Sequence, residues 1–459
     1  MLVLTILLGL AAPSLTAAEA AANFNLSAAT LDSYGCDATC QAIFAYAQAE
    51  DRTLFGTDFD FDFYATASKF PQSQPGDLLK FEAIDPDNLD VISGVSAYRF
   101  QYTSQDLDGS PVPATGFIAI PYTSFRRDRK YPAIAYAHGT LGVFAGCPPS
   151  TTPTLYDYTS WSMLIERGYA IIATDYAGLG NNYTEHKYLS FPVHANDLYY
   201  SMVAARKAFP GLFTDEWMSV GHSQGGGAVW KLSESKLLQT GAAGKYLGTV
   251  ALAPASKIYD MALLGTELLL QTSDYASYDI LYESLWLPFA IERVFPNMSR
   301  APFAETLQNR TKIASLAQAC DYGIMSLAYG LKPSDLFTPA IKDNADFQKW
   351  QDMVAPANGD KAAEPMMIVQ GLNDTAVLPQ ITIGSFKDSC LYGNEVHLKL
   401  YPGLDHSDVL TAGSPEWLGF LDHRFAGRNT TGNCSTITHR PFDAVHMVTH
   451  PEAAEMTSM

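Results

Sequence analysis

Short, almost unbroken apolar runs recur along this chain, at Tyr131–Ala137, Ala170–Thr174, 218–220, 247–253, 366–369 and 396–400. Such runs suit strands buried on both faces, because a half-exposed strand would alternate apolar with polar residues. Between them lie stretches of helical spacing, among them 158–167, 193–208 and 226–238. Strands and helices taking turns in this way predict an α/β fold with a mostly parallel, doubly wound sheet. Upstream, 98–103 and 115–120 are rich in aromatic and β-branched residues and flank Asp108-Gly109-Ser110-Pro111, which predicts two strands separated by a turn. The alternation fails over 256–361, where Leu, Tyr and Phe recur at helical spacing without a clean strand. Because the strand pattern resumes afterwards, this segment reads as a helical cap inserted into one sheet; a second independent domain is the alternative.

The expected organisation is a leader over 1–22, a core over 23–255 and 362–434, the cap over 256–361, and a C-terminal tail over 435–459. Residues 2–12 are largely apolar and are followed by the small residues of 17–22, the pattern of a secretory signal peptide. The run is too short for a membrane-spanning helix, which takes ~20 apolar residues. No later stretch reaches that length without a charge, so no transmembrane segment is expected. With 47% hydrophobic and 17% charged residues, the 459-residue chain can bury a large core, which excludes disordered and coiled-coil classes. Its formal net charge of −19 repels phosphate backbones, so no nucleic-acid partner is expected.

Asn-x-Ser/Thr begins at Asn25, Asn182, Asn297, Asn309, Asn373, Asn429 and Asn433, against about two expected by chance. That excess predicts an extracellular glycoprotein. Cys36, Cys40, Cys147, Cys320, Cys390 and Cys434 form an even set, so disulfides are expected, with fifteen pairings open. A zinc site would need clustered Cys and His; Cys36 and Cys40 have no second pair at that spacing, so neither metal nor cofactor is expected.

The chemistry concentrates at Gly221-His222-Ser223-Gln224-Gly225. An apolar strand precedes this GxSxG sequence and Gly226-Gly227-Ala228-Val229 opens a helix after it, the setting a nucleophilic serine on a sharp turn requires. Such a serine needs an acid and then a base further along the chain. Asp374 follows the strand at 366–369, and His406 follows the strand at 396–400. His406 is therefore the expected general base, with Asp374 fixing its tautomer. His397 lies within a strand and reads as structural, while His138 precedes the serine. The backbone N–H of Gln224, with Gly139 and Thr140 after the strand Tyr131–Ala137, would form an oxyanion hole. Asp175-Tyr176-Ala177-Gly178-Leu179-Gly180 has a dinucleotide-like GxG but lacks the full fingerprint, and reads as an active-site loop.

Several segments together carry a more specific signal: Ala137-His138-Gly139-Thr140, Cys147-Pro148-Pro149-Ser150, Tyr156-Asp157-Tyr158, 175–180, the serine turn, Gly371-Leu372-Asn373-Asp374 and Gly403-Leu404-Asp405-His406. In this order they resemble the secretory lipase family typified by Candida antarctica lipase A, from about residue 55 to 434. The resemblance implies an α/β-hydrolase sheet with a helical cap, and a triad of Ser223, Asp374 and His406. It also implies the disulfides Cys147–Cys320 and Cys390–Cys434, which leaves Cys36–Cys40. Gln224 departs from family members with Gly after the nucleophile and puts a larger side chain near the site. The function expected is a secreted carboxylic-ester hydrolase acting through an acyl-enzyme, a triacylglycerol lipase or broad esterase, on a lipid or small-molecule ester and with a lipid–water interface as a possible setting. A secreted serine peptidase or a non-catalytic binding protein on the same fold are the alternatives.

Overall fold

The computed structural model describes residues 20–156 and 160–450. Nearly all of the leader at 1–22, Asp157 and Tyr158, and the chain after 450 lie outside the described residues. Ten strands form one sheet: β1 (Leu78–Ala83), β2 (Ser96–Gln105), β3 (Pro111–Ile120), β4 (Tyr131–Ala137), β5 (Ala170–Thr174), β6 (Phe213–His222), β7 (Lys245–Leu252), β8 (Met366–Gly371), β9 (Val396–Tyr401) and β10 (Ser435–Thr438). Their spatial order is β1-β2-β3-β5-β4-β6-β7-β8-β9-β10. β1, β2 and β3 pair antiparallel and β3 meets β5 antiparallel, whereas every later pairing is parallel. This is the α/β-hydrolase fold, with the parallel strands where the continuous apolar runs predict them.

Both faces of the parallel region are covered, which is why its strands need no polar side. Helices Phe191–Ala208 and Gln224–Ser233 join the larger apolar cluster on one face through Leu198, Met202 and Trp230. Helix Ser414–Phe425 covers the other with Trp417 and Leu421, beside Trp161 and Leu164.

Between β7 and β8 the chain is helical, from Ile258–Gln271 to Ala345–Val354. Leu285, Trp286 and Ile291 of this segment are fully buried in the larger cluster, so its apolar stripe is core. The N-terminal arm, for which sequence offered no chemistry, clamps this segment. Phe24 N–H donates to Ala317 O at 2.7 Å, and the buried Asp51 carboxylate accepts the Tyr322 and Gly323 N–H groups at 3.0 Å each. Three disulfides, Cys36–Cys40, Cys147–Cys320 and Cys390–Cys434, complete the frame. The tail expected from 435 onward differs from expectation at its start, because β10 extends the sheet beside β9 directly after Cys434.

Candidate active site

Ser223 is the one residue between β6 and the helix Gln224–Ser233, at φ +57° and ψ −118°. Non-glycine residues rarely adopt positive φ, and such a conformation persists where neighbours over-determine it. Here Ser223 N–H donates to Leu252 O at 3.0 Å, while its carbonyl accepts Ala255 N–H at 3.0 Å and Gly227 N–H at 3.2 Å. Bare backbone on both sides is equally necessary. A Cβ on Gly221 would lie 2.2 Å from Gly225 O, and one on Gly225 would lie 2.0 Å from Ala137 O. The flanking glycines thus press the turn against β4 and lift the serine side chain above the sheet.

Parallel pairing of β8 with β9 sets the loops after them side by side. There His406 Nδ1–H donates to Asp374 Oδ2 at 2.8 Å, which leaves Nε2 as the basic ring nitrogen. Asp374 is itself held on every side: Oδ1 accepts Ala376 and Val377 N–H at 3.0 and 2.7 Å, and Oδ2 accepts Gln370 Nε2–H at 2.8 Å. Sequence reading missed Gln370. The available signal is a lone polar side chain at the buried end of an apolar strand, and Thr382 fixes it by donating to its Oε1 at 2.8 Å. The His406 ring packs 4.6 Å from that of His222, the residue before Ser223, and His222 Nε2–H donates to His406 O at 3.2 Å.

Gly139 backs onto Ser223, since a Cβ there would sit 3.5 Å from the Ser223 Cβ. Thr140 and Gln224 line, with Ser223, a cavity of about 40 Å³. Thr140 is fixed at both ends: its carbonyl accepts from the Tyr156 hydroxyl at 3.1 Å, and its own hydroxyl pairs with that of Tyr188 at 2.7 Å. His138 is buried, and burial lowers its pKa to about 4, so it stays neutral and out of the cavity. His397 bonds Ser435 and Glu395 within the sheet, far from the serine along β9.

One sequence expectation changes. Loop 175–180 contributes no residue to the Ser223 cavity. Asp175 is buried and accepts from Thr115, Ser150 N–H and the Ser150 hydroxyl, and the Tyr176 ring lies tilted 4.4 Å from those of His138 and His194, so the loop braces the site from beneath. The Gln224 side chain, read from sequence as a larger group near the site, has its amide held by two imidazoles. Its amide Nε2 lies 3.2 Å from both His186 Nε2 and His194 Nε2. Each of its two N–H groups has a ring nitrogen to meet if both imidazoles carry their proton on Nδ1, and His186 Nδ1–H does find Ala177 O at 3.2 Å. Burial holds both rings neutral, with the pKa of His194 lowered to about 3. The Cys147–Cys320 bridge ties the loop after β4 to the helical segment above the site.

No protein-family model matches the sequence, and no curated protein does either. Solved structures do share the fold. Candida antarctica lipase A superposes with a TM-score of 0.62 at 14% identity, over 86% of this chain and 91% of that one. Its closed state gives the same score and identity, over 86% and 92%. The rice cell wall degrading esterase LipA from Xanthomonas oryzae gives 0.58 at 16% identity, over 77% of this chain and 98% of that one.

Proposed function

We propose that the protein is a secreted serine ester hydrolase. The observation that carries this reading is a serine at positive φ that lines a small cavity with Thr140 and Gln224, next to His222, whose ring packs 4.6 Å from that of His406, the imidazole whose Nδ1–H is held by Asp374 at 2.8 Å. Ser223 Oγ attacks the ester carbonyl while His406 Nε2 takes its proton. Negative charge moves to the former carbonyl oxygen, where N–H groups of Gln224 and of Gly139 or Thr140 receive it. Because Gln224 and Thr140 are pinned by side-chain bonds made in advance, those donors need little reorganisation as charge develops. His406 then protonates the departing alcohol, and water activated by the same ring releases the acid from Ser223. The helical segment 256–361 acts as the cap, with Leu287 lining the same cavity as Ser223.

The lipase and esterase scaffolds that share this fold support ester chemistry over peptide chemistry. Export is supported by three disulfides and by exposed sequon asparagines such as Asn25, Asn182 and Asn429. The test is a panel of esters of graded acyl length beside peptide amides. Ser223→Ala should lower ester kcat by about 10⁴-fold or more, and Asp374→Asn should also lower it strongly by freeing the wrong imidazole tautomer. Turnover near the wild-type rate in Ser223→Ala would remove the assignment, and peptide cleavage without ester cleavage would transfer it to a peptidase.

A further inference from the structure

Burial raises the pKa of six carboxyl groups to about 6 or 7, and five of them have hydrogen-bond donors. Asp51 has Tyr322 and Gly323 N–H, Asp175 has Thr115 and Ser150, and Asp197 has the Ser104 hydroxyl and Ala177 N–H. Glu234 has Ala357 N–H and Lys231, and Asp279 has the Thr375 hydroxyl. Glu283 is the exception: it is half-buried, its carboxylate meets no donor among the described residues, and loss of solvation raises its pKa to about 7, against the pull of His406 and with a push from Asp279 and Asp374. A half-buried carboxylate with no donor from the chain keeps its acceptor positions open to a bound molecule that brings a donor.

That position is specific. Glu283 lines the cavity that holds Ser223 and Thr140, and it also lines a second cavity of about 30 Å³ that reaches Gly265, Leu269 and Phe337. Ile258, Met261 and Leu287 border both, so the two cavities share a wall in which Glu283 is the one ionisable carboxyl group. Its charge is felt by the Tyr188 hydroxyl on the oxyanion side and by His406 on the other. The second cavity is lined wholly by the helical segment. Of the two halves of an ester, the acyl half stays attached to the serine when the alcohol departs, so the acyl group is the half that stays longest beside this wall.

Resting on the ester-hydrolase reading, we propose that Glu283 selects the acyl group, and that the site favours esters whose acyl chain carries a hydrogen-bond donor, a hydroxyl or a protonated amine, beyond the carbonyl. A plain alkanoyl chain leaves the carboxylate unpaired in the occupied site, whereas a hydroxyacyl chain supplies the missing bond. Sites built to bond a substrate hydroxyl discriminate strongly against the analogue that lacks it.

The test compares kcat/KM of the intact protein for ethyl butanoate, ethyl β-hydroxybutanoate, ethyl hexanoate, ethyl ω-hydroxyhexanoate and 2-hydroxyethyl butanoate, with Glu283→Gln and Glu283→Leu alongside. Wild type should prefer at least one hydroxyacyl ester over its plain partner by about tenfold or more. Glu283→Leu should reverse that ratio. Glu283→Gln, nearly isosteric and still an acceptor, should reduce it, and it carries the test if the leucine variant fails to fold. A wild-type ratio at or below one, a ratio indifferent to both substitutions, or a preference for the hydroxyl on the alcohol side would each overturn the proposal. Hydrolysis of no ester by the folded protein would overturn the ester-hydrolase reading itself, and the selectivity with it.

Discussion

His194 lies between the Tyr176 ring, 4.4 Å away, and the Gln224 amide, and its Nδ1 has no hydrogen-bond partner among the described residues. Burial holds its pKa at about 3, below the ordinary value of 6.5. The unfolded chain therefore takes up a proton that the folded ring refuses. Stability from this residue is complete above about pH 6.5 and is lost as pH falls toward 3, at about 1.4 kcal/mol per pH unit for one ring. His194→Gln should remove one proton's worth of that slope. Urea unfolding free energies measured between about pH 4.5 and 7.5 will check it, and parallel slopes for variant and wild type would show that the ring titrates normally. Gln224 bears on the same point. Sequence exposed it as a departure beside the nucleophile but could not show which way its side chain turns, since His186 and His194 lie 38 and 30 residues away.

The elements that sequence made legible are those whose residues signal locally. β4 and β5 begin and end where their apolar runs do, because strands buried on both faces have no polar position to blur the pattern. Ser223, Asp374 and His406, the proposed triad, could be singled out because each lies in the turn or loop after such a strand. Edge strands were not. β1 is exposed at three of six positions and β10 at three of four, and β10 lies beside β9 after a chain reversal anchored by Cys390–Cys434, a long-range constraint with no local pattern. The Cys147–Cys320 bridge is constraining in the same way. It closes 173 residues, and Cys320 also forms a main-chain bridge to Gly142 in the loop after β4. Replacing both cysteines by serine should cost about 2–5 kcal/mol of stability, read from the urea midpoint. Because the bridge joins the oxyanion-side loop to the helical segment, esterase activity in this variant should fail at lower temperature than the sheet unfolds, as followed by circular dichroism. Coincident loss of both would assign the bridge to global stability alone.

Across the whole molecule the buried carboxyl groups oppose the buried imidazoles. Asp51, Asp197, Glu234 and Glu283 have pKa values raised to about 7. A raised carboxyl pKa contributes stability that is present below the unfolded value and is lost as pH rises through the folded one. The net charge of −19 adds self-repulsion in the same direction. The thermal midpoint should therefore be higher at about pH 6.5 than at about pH 8, and a midpoint that climbs toward pH 8 would contradict this balance. The sheet has a consequence of another kind. The helical segment leaves from β7 and returns to β8, and these strands are neighbours paired through Leu252 and Val369. Ser223, Asp374 and His406 all lie outside it, while Glu283 lies within it. A recombination with both breakpoints between β7 and β8 would exchange these helices as one cassette and leave the proposed reacting groups in place. Preference for an acyl group and the capacity to cleave it are in that sense separately heritable, provided the incoming cassette carries a cysteine to meet Cys147.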